Sequence, residues 1–113
     1  LTSDIFECTM RNPDLGYVGS IDSVNVKIVN DVLELDSIPV IAPIGFQGNE
    51  MLNINADIAT VELVKAINPY KAIFLSDVGG IFNNTGELIS NINLALEYEE
   101  LMQAEWLHSG MKV

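Results

Sequence analysis

The sequence predicts an α/β fold: a mostly parallel sheet with helices on both faces and inserted β-hairpins. Three observations carry that prediction. Extended and helical hydrophobic periods alternate along the chain. Two runs, Ile38-Pro39-Val40-Ile41-Ala42 and Lys71-Ala72-Ile73-Phe74-Leu75, are nearly continuously apolar, as parallel strands buried on both faces should be. Two turn clusters, Asn12-Pro13-Asp14 and Asn83-Asn84-Thr85-Gly86, sit between short extended segments and read as hairpins. The 113 residues are 49% hydrophobic, enough for one core, and show no repeat or low-complexity tract. Residues 1–113 therefore read as one domain or one piece of a domain.

In order, Ile5 to Thr9 and Gly16 to Ile21 read as strands of the first hairpin. After Asp22-Ser23, a plausible cap, Val24, Ile28, Val32 and Leu35 recur at helical spacing, although Val24, Val26 and Ile28 also alternate as a strand would. The Ile38 to Ala42 strand follows, and then a short extended piece from Met51 to Ile54. Asn55 can cap a helix in which Ala56, Ala59, Thr60, Leu63, Val64 and Ile67 form a stripe, stopping at Asn68-Pro69. Lys71 to Leu75 is the second buried strand, and it opens into Ser76-Asp77-Val78-Gly79-Gly80. Loops at the carboxyl ends of strands are where open α/β sheets bind ligands. The second hairpin joins Ile81-Phe82 to Leu88-Ile89, and a last helix runs from Leu94 to His108 with Tyr98, Leu101, Met102 and Trp106 broadly on one face.

Charge narrows the partners. Sixteen acidic residues against five basic ones give a formal net charge of −11, which would repel a nucleic-acid backbone. No apolar run approaches the ~18 residues that a membrane helix needs. The chain opens on Leu1, so any targeting segment would lie upstream. Cys8 is the single cysteine and His108 the single histidine, so neither an internal disulfide nor a metal site of several imidazoles is expected.

No phosphate-binding loop of the P-loop or dinucleotide type occurs: Gly16-Tyr17-Val18-Gly19 lacks both the third glycine and the lysine. No nucleophile-elbow sequence is present either. Asn53, Asn55 and Asp57 stand out because three polar residues at alternate positions close an extended segment and open an apolar helix. Asparagine amides can donate to carboxylate or phosphate oxygens, and Asp57 could hold ammonium groups in place. Helix capping by Asn55 and dipole compensation by Asp57 account for the same pattern.

Five segments in order, Gly16-Tyr17-Val18-Gly19, Ile38 to Pro43, Asn53-Ile54-Asn55-Ala56-Asp57, Leu75-Ser76-Asp77-Val78-Gly79-Gly80-Ile81 and Gly110-Met111, resemble the amino-acid kinase superfamily. Within it they most resemble N-acetylglutamate kinase. The tail, with Ile92-Asn93-Leu94, Glu97-Tyr98, Leu101-Met102 and Trp106, looks closer to the fungal type. The resemblance implies a partial amino-acid kinase fold and transfer of a phosphoryl group from ATP, with Mg, to the side-chain carboxylate of N-acetyl-L-glutamate in arginine biosynthesis. It implies substrate binding by Asn53 with Asn55 beside it, and organisation of two catalytic lysines by Asp57. Nucleotide contacts would come from Ser76, Asp77, Val78, Gly79, Gly80, Ile81 and Phe82, and from Trp106, Leu107 and His108.

In this family the first lysine, two glycine-rich segments and a substrate-gripping arginine belong to an amino-terminal half with no counterpart before Leu1. The second lysine falls just beyond Val113, and Lys112 is out of register with it. The resemblance therefore implies a fragment that is inactive alone, from a homo-oligomeric parent that can associate with N-acetylglutamate synthase. That parent would be mitochondrial if fungal-like and cytoplasmic otherwise. Two alternatives share the fold: a non-catalytic kinase-like domain of an N-acetylglutamate synthase, and a kinase acting on aspartate, glutamate or UMP.

Overall fold

Strand β1 (Phe6–Met10) buries Phe6 and Cys8 and exposes Glu7 and Thr9, the two-residue period of a sheet covered on one face. The computed structural model describes residues 4–105 and residue 107. The chain divides into two units, Leu1–Ala72 and Ile73–Val113.

In the first unit, β1 pairs antiparallel with β2 (Gly19–Val24) through a turn of 3₁₀ helix at Pro13–Leu15. The expected hairpin is there, with its second strand shifted toward the carboxyl end. The register steps between Glu7 and Cys8, leaving Asp22 as the extra residue of a β-bulge. Asp22 Oδ2 accepts from Thr9 Oγ1 at 2.6 Å, and Glu7 Oε2 accepts from Ser23 Oγ at 2.9 Å.

Because β2 runs through to Val24, helix α1 (Val26–Glu34) starts after the expected Asp22-Ser23 cap. Asn25 caps it instead, its side chain accepting from Lys27 N at 3.2 Å. Strands β3 (Ile44–Gln47) and β4 (Glu50–Asn53) form a second hairpin. Helix α2 (Ala56–Ile67) then starts at Asn55 and stops at Asn68 in the left-handed conformation, φ 53°, as the sequence predicts.

The sheet order is β2-β1-β3-β4. Of its three pairings only β1 with β3 is parallel. The sheet is thus mixed, where the apolar runs had pointed to a mostly parallel one. Neither run forms a strand. Residues 37–43 and 69–76 lack regular structure, with Ile38 89% and Leu75 95% exposed. Continuous apolar composition selects for burial on both sides, but a strand also needs a second edge to supply its hydrogen bonds. The hairpin of β3 and β4 takes the place beside β1.

The core of this unit is Ile5, Phe6, Cys8, Val29, Leu52, Ile54 and Ala59, with Ile21, Ile28, Ile41, Leu63 and Ile67 packed against it. Helix α2 packs against β2 and α1. The opposite sheet face, carrying Glu7, Thr9 and Met51, is exposed, so in this unit the helices cover one face rather than both.

Among the described residues of the second unit are an antiparallel bridge, Phe82 with Leu88, and helix α3 (Leu94–Gln103). Asn93 caps α3 by accepting from Ala95 N at 3.1 Å, and Glu97 Oε2 accepts from Asn93 N at 2.9 Å. The helix ends at Gln103 rather than at His108, because Ala104 turns extended. Of the expected apolar face, Leu101 is half-buried, while Tyr98 and Met102 are exposed.

Candidate functional site

The segment Asn53 to Asp57 is built as the sequence predicts. Strand β4 ends at Asn53, Ile54 plugs the core at 3% exposure, and Asn53, Asn55 and Asp57 stand exposed on either side of it. The backbone is held at each step. Asn53 N donates to Tyr17 O at 2.8 Å, Ile54 N to Pro43 O at 3.0 Å, and Ala59 N to Asn55 O at 2.9 Å.

Asn55 Oδ1 accepts from Asp57 N at 2.9 Å and from Ile58 N at 3.0 Å. That oxygen is committed to the helix start, so a ligand would meet the amide nitrogen of Asn55. Asp57 lies in the first turn of α2, where the helix dipole favours a carboxylate. Replacing Asn55 with alanine should cost about 1 kcal/mol of stability, the ordinary worth of such a cap. The shift of the urea midpoint at constant slope measures it.

The Gly16-Tyr17-Val18 segment bears on this site in a way that the sequence left unread. Val18 forms a parallel bridge with Asn53, in addition to the bond from Asn53 N to Tyr17 O. The available signal was Gly16, whose φ of 74° and ψ of −148° lie in a region that glycine alone occupies readily.

The loop from Ser76 to Phe82 belongs to the second unit. No strand precedes it, so the expectation of a loop at a strand's carboxyl end is corrected by residues 69–76. Its own order is local. Ser76 Oγ accepts from Val78 N at 3.2 Å and donates to Asp77 Oδ1 at 3.4 Å. Gly80 has φ 143°, and a Cβ there would come within 2.7 Å of Leu88 Cδ1.

Ile81 and Phe82 are fixed by the predicted hairpin. Ile89 N donates to Ile81 O at 2.8 Å, and Gly86 turns at φ 80°. Asn83 Oδ1 accepts from Thr85 N at 3.0 Å, from Thr85 Oγ1 at 2.7 Å and from Glu87 N at 2.9 Å. Leu107 is buried, while Trp106 and His108 lie outside the described residues. The residues proposed from the sequence thus fall into two groups, Asn53 to Asp57 in the first unit and Ser76 to Phe82 with Leu107 in the second.

A cleft of about 460 Å³ in the second unit is lined by Asn91, Glu97, Glu100 and Gln103 with Ile89 and Leu101 near them, and by none of the loop residues. Two glutamates make it a poor seat for phosphate. Lys27 is paired with Asp31 at 2.6 Å and Lys65 with Glu62 at 2.7 Å, both within a single helix. Burial pushes the Cys8 thiol above its usual range, with the Asp22 charge adding to the effect and a backbone bond at Phe46 opposing it. A protonated thiol in the core is a packing group rather than a nucleophile.

The profile of the Amino acid kinase family matches residues 1–113. The acetylglutamate kinase of Xanthomonas campestris is 43% identical over the whole chain, which spans 27% of that protein. Protein arg-6, mitochondrial, of Neurospora crassa is 34% identical over the whole chain, which spans 13% of it. Among solved structures, the crystal structure of smu.665 from Streptococcus mutans UA159 superposes with a TM-score of 0.83 at 29% identity, over 99% of this chain and 47% of that one. The chain therefore spans about a quarter or less of the length of these curated relatives. With the profile match covering every residue, the chain belongs to the amino acid kinase family.

Proposed function

We propose that this chain is part of an acetylglutamate kinase, which phosphorylates the side-chain carboxylate of N-acetyl-L-glutamate with MgATP, and that it is inactive alone. The observation that carries the proposal is the segment Asn53 to Asp57, pinned at a strand end and a helix start, in a chain 43% identical over its full length to an acetylglutamate kinase. Two exposed apolar runs, around Ile38 and Leu75, support the fragment reading, since they have the composition of strands buried inside a larger body.

In this reading a carboxylate oxygen of the substrate attacks the γ-phosphorus as the bond to ADP breaks, giving an acyl phosphate. Alignment and positive charge on the transferring oxygens do the catalytic work. Asn53 and the amide nitrogen of Asn55 donate to the substrate, and Asp57 orients lysines contributed from outside these residues. Ser76, Asp77, Val78, Gly79, Gly80, Ile81 and Phe82 receive the nucleotide, together with Trp106, Leu107 and His108. Magnesium would enter as part of MgATP and would neutralise phosphate charge during transfer.

Self-association and contact with an N-acetylglutamate synthase are expected of the parent. Its compartment goes with its lineage, mitochondrial for a fungal type and cytoplasmic for a bacterial one. The higher identity to the Xanthomonas protein favours the second.

The decisive experiment supplies the complete enzyme with ATP and N-acetyl-L-glutamate and traps the acyl phosphate as its hydroxamate. Hydroxamate from aspartate or glutamate but not from acetylglutamate, or UDP formed from UMP, overturns the substrate assignment. No product with any of them points to a non-catalytic kinase-like domain. The nucleotide loop has its own test. Gly80→Ala places a Cβ at φ 143° against Leu88, so KM for ATP should rise about tenfold by displacement of the loop, leaving KM for N-acetyl-L-glutamate unchanged.

A further inference from the structure

We propose that the loop from Asn12 to Val18 is a positioning element for the acceptor substrate, setting Asn53 through a backbone bond. This rests on the reading of Asn53 as a substrate-binding residue and adds what holds it there.

The loop is closed on itself by four backbone hydrogen bonds. Arg11 N donates to Val18 O at 2.8 Å, Leu15 N to Asn12 O at 3.0 Å, Gly16 N to Pro13 O at 3.1 Å and Val18 N to Gly16 O at 2.8 Å. The Asn12 side chain adds a fifth, accepting from Asp14 N at 3.0 Å, and Pro13 fixes φ at the first position of the 3₁₀ turn. A loop so tied moves as one piece. Outward, Tyr17 O accepts from Asn53 N at 2.8 Å, and Asn53 is the last residue of β4.

On the inner side of Asn53 the chain is fixed by Leu52 at 0% and Ile54 at 3% exposure. Behind the loop, a Cβ at Gly19 would come within 3.0 Å of Leu52 Cβ and 3.1 Å of Cys8 Cβ, so the chain at Gly19 lies as close to Leu52 as side chains allow. The exposed Asn53 side chain therefore takes its direction from a backbone clamped between core and loop. A donor held in place before the substrate arrives loses little freedom on binding. Displacing it by about 1 Å forfeits much of its contact.

Gly16 gives access to the clamp. Its conformation resists any L side chain, yet a Cβ there would meet nothing within 4 Å, so Gly16→Ala strains the loop without a clash. Gly48, φ 58° and equally open, lies in the turn at the other end of β4 and provides the control.

In the complete enzyme, hydroxamate formation is measured against both substrates for wild type, Asn53→Ala, Gly16→Ala, Asn12→Ala and Gly48→Ala. Gly16→Ala should raise KM for N-acetyl-L-glutamate about tenfold, and Asn12→Ala about threefold, with KM for ATP unchanged. Gly48→Ala should change neither. If Asn53→Ala raises that KM while Asn12→Ala and Gly16→Ala do not, the clamp is refuted and the substrate reading stands. If Asn53→Ala leaves it unchanged, both fall. An equal rise in Gly48→Ala also refutes the clamp, since general loosening of β4 would then explain it. Asn12→Ala removes a single side-chain bond, so it provides the readout should Gly16→Ala fail to fold.

Discussion

Asp57→Asn in the complete enzyme should lower kcat for the proposed acyl-phosphate formation by about 100-fold or more, while KM for ATP should stay within about threefold. Asparagine keeps the shape of the side chain and its place in the first turn of α2. Only the charge is removed. If that charge served the helix alone, its loss would cost about 0.3–1 kcal/mol of stability and nothing in rate.

If Asp57 instead holds ammonium groups against the transferring phosphoryl, the loss falls on the transition state, where charge on the equatorial oxygens is greatest. Asn55, two residues away, gives the contrast: its oxygen is spent on Asp57 N and Ile58 N and only its amide nitrogen is left for the substrate, so Asn55→Ala should lower stability and raise KM for N-acetyl-L-glutamate with little change in kcat. Trapping the acyl phosphate over a range of ATP concentrations separates the two. A kcat for Asp57→Asn equal to wild type would reduce Asp57 to a helix-start residue.

Gly45→Ala should lower stability by about 1–3 kcal/mol, through overpacking, a large share of the ~5–15 kcal/mol that keeps a domain folded. Gly45 sits in β3 next to β1, where an added Cβ would fall on Cys8 Sγ and come within 2.9 Å of Ile54 Cδ1 and 3.1 Å of Phe6 O. The first of these contacts can be removed. Adding Cys8→Ala deletes the sulfur, so the double variant should be markedly more stable than the sum of the two single effects predicts. Midpoints of chemical unfolding for the four proteins close the cycle. Strict additivity would show that the Phe6 backbone and Ile54, not the thiol, set the limit at Gly45.

The elements that the sequence placed well are those fixed by local chemistry. Asn55 as cap, the stripe through Ala59, Leu63 and Ile67, and the stop at Asn68 all follow from hydrogen bonding and φ preferences within a few residues. The Asn83 to Gly86 turn is legible for the same reason. The apolar runs at Ile38 and Lys71 form no strand although their composition predicts one, because composition reports a tendency to burial and says nothing of which edge will pair. The hairpin of β3 and β4 was only half seen, its Met51 to Ile54 piece being recognised and its partner Ile44 to Gln47 hidden behind Pro43. At the site, the spacing of Asn53, Asn55 and Asp57 was visible, while the bond from Tyr17 was not, because a backbone carbonyl leaves no mark on the residue that carries it.

By itself the sequence determined both ends of α2, the start of α3, the turns at Asn12-Pro13-Asp14 and Asn83 to Gly86, the family resemblance and the polar triplet at the head of α2, all matters of residue type at short range. Only the tertiary structure decided that β1 pairs with β3, that Asp22 forms a bulge, that Cys8 faces Gly45 and that the loop ending in Val18 grips Asn53. The physical reason is the same each time: these contacts join residues far apart in the chain through backbone groups and packing space, which any sequence offers in many places and a fold uses in one.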